Sequence, residues 1–494
     1  MASRSIFRVL SPRAAEGAAA AGPVARLGCL EVPNRKPIQT PSYTAFASRG
    51  VIPHVTSDNV TRYTKLDSAY MALEDFVEKK EPPMISMPAG GLEGSRLHAF
   101  TAFPRDTAVI LAPRRCPPVE APSGNTSKHA FVFTSMGFRR VTVAEYASWT
   151  DALQADVVVP LADLPPGKPS SLSAKRLDRM MTHTEDWLEE FLALSAAKPE
   201  HGNQREAAAA SLFAPVPPVP YAAQRNYLDY LADLVGDGDS DGSAGGRGRR
   251  IKGLAVYGAD LLPDLAGHAA LGHLPRLSLD SPPTPHEILR QVSLGADMVL
   301  TPLVNNASDA GVALTFSLPA PGQHDEQQQQ QQQQQPLPLG EDMWDERNKD
   351  RVESMVPGCP CYTCTAHHRA FVNHLLHAKE MLGWTLLQVH NHHVMAAFLA
   401  AVRMALAAGG PAALEEARLR FAGAYEADLP AGTGERPRAR GYHFKSGEGN
   451  ARSNRPAWQA GINGVAAVDE AAAASDGDEG KRDEKTDGLT QKEE

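Results

Sequence analysis

Short apolar runs alternate with amphipathic stretches along most of this chain. Ala108-Val-Ile-Leu-Ala112 and His129-Ala-Phe-Val-Phe-Thr134 have strand length, and Ala155-Asp-Val-Val-Val-Pro160 reads as a buried strand ending at Leu161-Ala-Asp163. Helical spacing predicts helices over Val143–Leu153, Ser173–Ser195 and Tyr221–Val235. In the second of these, Trp187, Leu188, Phe191 and Leu192 share one apolar face. Gly253-Leu-Ala-Val-Tyr-Gly258 is a further short strand. Thr284-Pro-His-Glu287 carries a helix-start signature: Thr to cap the first free N–H groups, Pro at the first helical position, Glu three residues after the cap. That helix stops at Gly295 and feeds Asp297-Met-Val-Leu-Thr301, with Val312-Ala-Leu-Thr-Phe316 as the next strand. Toward the N-terminus, Phe7–Leu10, Arg26–Leu30 and Thr40–Thr44 read as short strands, and Ser57-Asp58-Asn59 as a cap for a following helix.

Strands and helices in alternation predict an α/β fold with a parallel sheet. No Gly-x-Gly-x-x-Gly follows the first strand, which disfavours a nucleotide-binding doubly wound sheet. The expected architecture is a (β/α)8 barrel over residues 1–410. Residues 236–250, rich in Gly, Asp and Ser, and residues 319–340, with nine consecutive glutamines at Gln327–Gln335, read as disordered insertions. After them come predicted helices at Ala366–Leu382 and Asn391–Ala408 and a last one at Leu414–Ala424. The rest of 411–494 reads as mostly disordered, ending acidic.

Charge adds little to this picture. The net charge is -9, but residues 469–494 hold ten Asp/Glu against four Lys/Arg and so supply most of it. The remaining body is nearly neutral, so an RNA partner is not excluded. The run Arg436-Pro-Arg-Ala-Arg-Gly-Tyr-His-Phe-Lys445 interleaves cations with aromatics, and Arg369 and Lys379 are further candidate RNA contacts, although a solvated linker is the plainer reading of the run. The apolar segments are too short for a transmembrane span. Arg4, Arg8 and Arg13 give the N-terminus a transit-peptide flavour, but Ile6-Phe7-Arg8-Val9-Leu10 reads better as a first strand.

The sharpest chemical signal is Cys359-Pro-Cys361-Tyr-Thr-Cys364, followed 26 positions later by His390. Three of the five cysteines stand within six residues, which points to a metal and away from a disulfide framework, and to a reduced, cytosolic setting. Three thiolates and one imidazole form a closed tetrahedral zinc set with no position left for water, so the expected site is structural. His367, His368, His374, His377, His392 and His393 compete with His390 for the fourth place. A rival reading pairs Pro360-Cys361-x-x-Cys364 with His183-Thr-Glu185 as a zinc-deaminase signature, although about 175 positions separate the two halves.

Cys-x-Cys-Tyr-x-Cys with the His390-Asn391 dipeptide resembles the tRNA-guanine/queuine tRNA-ribosyltransferase family. Supporting stretches are Arg26-Leu-Gly with Thr40-Pro-Ser-Tyr, Gly295-Ala-Asp-Met298 and His374-Leu-Leu-His-Ala-Lys-Glu-Met-Leu382. The resemblance implies a (β/α)8 barrel with an inserted zinc-binding helical subdomain, here residues 355–395, holding one structural Zn²⁺ through Cys359, Cys361, Cys364 and His390. Catalytic members use an aspartate nucleophile on the ribose and a second aspartate for the base proton. Here the nucleophile position holds Leu300, and Ala108–Glu120 lacks the second aspartate's motif. Asp163 falls at a base-recognising position, with a strand-end cap as its plainer role. This loss pattern resembles the non-catalytic accessory subunits of the family's eukaryotic heterodimers. It implies a catalytic queuine tRNA-ribosyltransferase subunit and tRNA as partners, and a cytoplasmic place, peripheral to the mitochondrial outer membrane. The alternative is an active base-exchange enzyme with a displaced carboxylate, such as Asp297 or Asp309.

Overall fold

The structure is a computed structural model that describes residues 6–10, 25–79, 81–87, 95–121, 124–165, 172–196, 210–236, 251–318 and 335–434. The glycine-rich run 237–250, most of the glutamine run, and Arg436–Lys445 with the acidic tail lie outside the described residues.

Eight parallel strands close into a barrel: β1 (Ser42–Phe46), β2 (Ser68–Ala72), β3 (Ala108–Ala112), β4 (Val157–Val158), β5 (Ser211–Val216), β6 (Ile251–Val256), β7 (Arg276–Ser278) and β8 (Met298–Thr301). Each pairs with the next, and β8 returns to β1 with Met298 opposite Ser42 and Leu300 opposite Thr44. The barrel expectation therefore holds. The strand period of two splits the core. One set of side chains faces outward onto the helices, including Val109, Leu111, Val158, Leu254 and Val299. The other fills the barrel, including Tyr70, Ile110, Phe213, Leu277, Met298 and Leu300.

Short helices at Ser57–Tyr63, Pro83–Ser86 and Arg96–Thr101 precede α1 (Val143–Leu153), α2 (Ala174–Ala196), α3 (Tyr221–Gly236), α4 (Pro285–Ser293) and α5 (Leu303–Asp309), followed by three that build the cysteine region: α6 (Tyr362–Ala366), α7 (Arg369–His377) and α8 (Met381–Ala424). The Thr284 start signal works as read, whereas the helix Ser57–Tyr63 begins inside the Ser57-Asp58-Asn59 cluster, with Thr56 in the cap position and no side-chain cap bond. The Thr284 hydroxyl accepts from the Glu287 N–H with Pro285 behind it, and Thr142 and Glu145 form a reciprocal capping box at α1.

Some apolar runs lie elsewhere than the alternation suggested. Ala130–Thr134 pairs antiparallel with Gly137–Val141 as a hairpin outside the barrel. Val312–Leu314 pairs antiparallel with Gly340–Asp342. Phe7–Val9, Gly28–Leu30 and Ile38–Thr40 form an antiparallel sheet whose Phe7, Leu30 and Ile38 pack into the barrel-filling cluster. Three barrel strands lacked a readable pattern. Ser68–Ala72 sets Tyr70 and Met71 between serine and alanines, Ser211–Val216 contains Pro215, and Arg276–Ser278 is three residues long.

The two helices expected at Ala366–Leu382 and Asn391–Ala408 are divided differently. Helix α7 ends at His377, where Lys379 turns left-handed (φ 57°) and the N–H groups of Ala378, Lys379 and Glu380 close onto carbonyls of the last turn. No Gly marks this turn, so the sequence hides it. Helix α8 then runs through the expected gap and on to Ala424, kinked at Gly409-Gly410 (Gly410 φ 65°) before Pro411. Its last turns bury Leu414, Ala417 and Phe421, so the packed body continues past residue 410. By length and composition α8 could cross a membrane. Its buried His390, Asn391 and His392, and its packing against α4, α5 and β1, identify it as the last helix of the barrel.

Candidate metal centre and barrel mouth

The cysteine loop is shaped before any ion is considered. Gly358 takes φ 73°, a conformation open to glycine, and turns the chain into Cys359. Cys361 is the N-cap of α6, its sulfur accepting from the Cys364 N–H at 3.3 Å. The Thr363 hydroxyl donates to the Leu386 carbonyl at 2.6 Å and pins α6 to α8. Met343, Trp344, Val372, Leu376, Trp384 and Leu387 form a small core under the loop.

Helix α8 supplies the fourth group. His390, fully buried, donates from Nε2 to the Leu314 carbonyl at 2.9 Å. Nδ1 therefore points at the cysteines, 3.9 Å from Cys359 Sγ, 3.5 Å from Cys361 Sγ and 3.4 Å from Cys364 Sγ. The four donor atoms lie within 4.8 Å of one another and could hold a metal ion. A tetrahedral ion with Zn–S bonds of about 2.3 Å needs ligand atoms about 3.5–3.8 Å apart, so the donor set fits. Burial alone would pull the His390 imidazole down, but hydrogen bonds with Cys359 and Cys364 push it up to about 9. Hydrogen bonds from Cys359 and Cys361, then the facing imidazole, hold the Cys364 thiol far below its ordinary range. A cation is what such a cluster attracts.

The next residue fixes this geometry. Asn391 donates to Ser308 Oγ at 3.0 Å and to the Val312 carbonyl at 2.9 Å, and accepts from the Leu314 N–H at 2.8 Å. The carbonyl that orients His390 is thus itself held in place. None of the competing histidines is among the donors gathered at the cysteines, and three are engaged elsewhere. His368 caps α7, His377 donates to the Asn373 carbonyl, and His392 pairs with the Tyr43 hydroxyl. Arg369 is not an RNA contact. It is buried, pairing with Glu341 and donating to the Ser354 and Met355 carbonyls, and so serves this subdomain. Lys379 stands on the exposed turn between α7 and α8.

The deaminase pairing fails on geometry. His183 donates from Nδ1 to Asp163 at 2.9 Å, on the α2 side of the barrel, and is not among the donors gathered at the cysteines.

At the C-terminal ends of the strands, where barrel enzymes carry their chemistry, a cavity of about 310 Å³ is lined by Arg114, Asn125, Phe131, Arg176, Tyr257 and Asp280 among others. Leu300 is fully buried nearby in the barrel-filling cluster with Tyr70, Ala112, Cys116 and Leu279. Asp163 is also fully buried. Its carboxylate accepts from Asn125 at 2.7 Å and from His183, which makes it a strand-end anchor. Arg114 donates to the Phe131 and Ala162 carbonyls and ties the hairpin to the end of β4.

Neither proposed substitute carboxylate reaches this cavity. Asp297 sits before β8, at the opposite end of the barrel, and takes both oxygens to Arg26 (2.9 and 2.7 Å) and one to the Arg276 N–H (2.8 Å). Asp309 accepts from His54 Nε2 at 2.5 Å. Asp297→Ala is expected to cost about 3–5 kcal/mol by stranding the part-buried Arg26 and the buried Arg276 beside it, as read by urea denaturation, with no other effect on function. Asp280 and the exposed Glu120 are the acids that do line the cavity; burial pushes the Asp280 carboxyl up while the Ala259 N–H holds it. Sequence reading missed Asp280 because it follows the three-residue strand β7.

Residues 21–424 match the queuine tRNA-ribosyltransferase family. The chain belongs to that family. It is 31% identical over 436 residues to the queuine tRNA-ribosyltransferase accessory subunit 2 of Schizosaccharomyces pombe, covering 88% of this chain and 89% of that protein. Proteins of the same name from Anopheles gambiae (26% identity; 76% and 83% covered) and Drosophila mojavensis (25%; 77% and 86%) are also similar.

Proposed function

We propose that this chain is the non-catalytic accessory subunit of a queuine tRNA-ribosyltransferase. It pairs with a catalytic homologue and supports exchange of guanine for queuine at the wobble position of tRNA. The observation that carries this reading is Leu300, a buried aliphatic side chain at the strand-end position where catalytic members have their nucleophile. A leucine has no lone pair with which to attack the ribose. Around it, Pro113-Arg114-Arg115 follows β3 without a carboxylate, and Asp163 is saturated by its partners. The names of the relatives agree with this role.

The donor chemistry of Cys359, Cys361, Cys364 and His390 favours Zn²⁺, about one per chain, as a structural ion. Bound there, it would neutralise the thiolates and clamp the cysteine loop to α8. Three free thiols suit the reducing cytoplasm.

Co-expression with a catalytic homologue tests the proposal. A stable complex is expected, with incorporation of labelled guanine or queuine into tRNA by the pair and none by this chain alone. Exchange by the purified single chain, or failure to form a complex, overturns it.

A further inference from the structure

We infer that the hairpin Ala130–Thr134/Gly137–Val141 is a stacking platform for unpaired RNA bases beside the barrel mouth. The inference rests on the accessory-subunit reading only in taking that RNA to be the loop of a tRNA.

The register places Phe131 opposite Arg140 and Phe133 opposite Phe138, which puts all four side chains on one face. They form a ladder. The Arg140 guanidinium lies over the Phe131 ring, 5.7 Å from its centroid, and the rings of Phe133 and Phe138 are 4.9 Å apart. Beneath them the Arg115 guanidinium packs 5.6 Å from the Phe133 centroid and pairs with buried Glu74, which fixes the base of the ladder.

The upper rungs are not consumed by packing. Phe131 and Phe138 are half-buried, Arg140 is exposed, and Met136 at the tip is 64% exposed. Among the described residues Arg140 has no carboxylate partner. Glu78 lines the same groove but faces Arg49 at 3.6 Å. Half-exposed rings beside an arginine with no acid suit a ligand that is planar and anionic at once. A base can stack on the ring or on the guanidinium plane, and its phosphate can take the remaining N–H donors. Phe131 also lines the mouth cavity, where Arg114 and Arg176 stand, so groove and mouth adjoin across its ring. An RNA loop presented to the mouth passes over the hairpin. A protein partner would leave Arg140 to find a carboxylate.

The test uses the full chain, alone and with a catalytic homologue. Fluorescence anisotropy measures its binding to an unstructured pyrimidine 12-mer RNA and to a tRNA anticodon stem-loop. Phe138→Leu keeps apolar volume and removes the ring. It is expected to weaken binding roughly five- to tenfold with an unchanged salt dependence. Arg140→Ala is expected to weaken it about tenfold and to flatten the log–log salt slope by about 0.7, the loss of one phosphate contact. Arg140→Lys should recover the slope but only part of the affinity, because lysine lacks the planar face. If Phe138→Leu melts early, the exposed Arg140 pair decides the matter. Unchanged RNA affinity in these variants overturns the inference. So does a loss of partner assembly at unchanged RNA affinity, which would make the hairpin a protein contact. Failure of the wild-type pair to assemble would instead count against the accessory-subunit reading, and the RNA measurement on the single chain would still stand.

Discussion

Cys361→Ala is expected to abolish metal binding and to unfold the region around α6 and α7 while leaving the barrel folded. Cys361 is the most buried of the three thiols and both a ligand candidate and the cap of α6. Its loss leaves two sulfurs and one nitrogen, an incomplete set for a structural ion. The binding energy of such ions is on the order of 10 kcal/mol, and in a small subdomain it is folding energy. The core beneath the loop is modest, so little else holds it. The barrel keeps its own two-layered core, which does not depend on the cysteine loop. Metal content by mass spectrometry should fall from about one ion per chain to near zero. Limited proteolysis should open between residues 350 and 380, and co-purification with the catalytic homologue should fail. Cys116→Ala is the control, since that thiol is buried by the barrel mouth and hydrogen-bonded to Tyr70. Full metal occupancy in Cys361→Ala, or loss of metal in Cys116→Ala, would refute the assignment.

The metal cluster was legible because its chemistry is local. Three thiols within one turn need no knowledge of the fold, and His390 followed from the family resemblance. Geometry then explains why His390 and not His392 completes the set. One faces the loop with its far nitrogen held by Leu314, and the other is turned to Tyr43. Apart from that resemblance, residue type and spacing do not separate the two, because the choice depends on which side of α8 meets the cysteines.

The barrel was legible as an alternation and not as a count. Strands such as Ala108–Ala112 and Met298–Thr301 are continuous apolar runs because both of their faces are buried. Ser68–Ala72 and Arg276–Ser278 are equally buried, but serines, alanines and an arginine flank their few large apolar side chains, so no continuous apolar run marks them in the sequence. Arg276 is the clearest case. A buried arginine inside a strand looks like a surface position until Asp297 and Arg26 are seen around it. Asp297 itself was read as a possible nucleophile for the same reason, since a sequence does not tell one end of a barrel from the other. Conversely, Ala130–Thr134 has a strand's pattern because its hairpin buries one face against the barrel, and pattern alone does not say which sheet a strand joins.

Leu300→Asp, which restores a carboxylate to the expected nucleophile position, should destabilise the chain and yield no base exchange. Leu300 is completely buried, and its neighbours in the barrel-filling cluster are apolar. An aspartate there gives up water and finds no cation opposite it, because Arg114 and Arg115 are committed to the hairpin carbonyls and to Glu74. The cost should be on the order of 4 kcal/mol at neutral pH. Desolvation raises the folded-state pKa of such a carboxyl above its unfolded value of about 3.9. Below that value the group is protonated in both states and only the cost of burying a neutral acid applies. As pH rises toward the folded pKa, the unfolded chain ionises and the folded one resists, so the penalty grows. The melting-temperature deficit against wild type should therefore be larger at pH 8 than at pH 5. Activity should not appear at either pH. A nucleophile acts only with a second group to manage the base proton, and at this mouth Asp163 is closed off by Asn125 and His183, Asp280 is held by the Ala259 N–H after a different strand, and β3 runs out into Pro113 and two arginines. Exchange of labelled guanine into tRNA by Leu300→Asp alone would show that the rest of the catalytic machinery had survived and that a single side chain had silenced it.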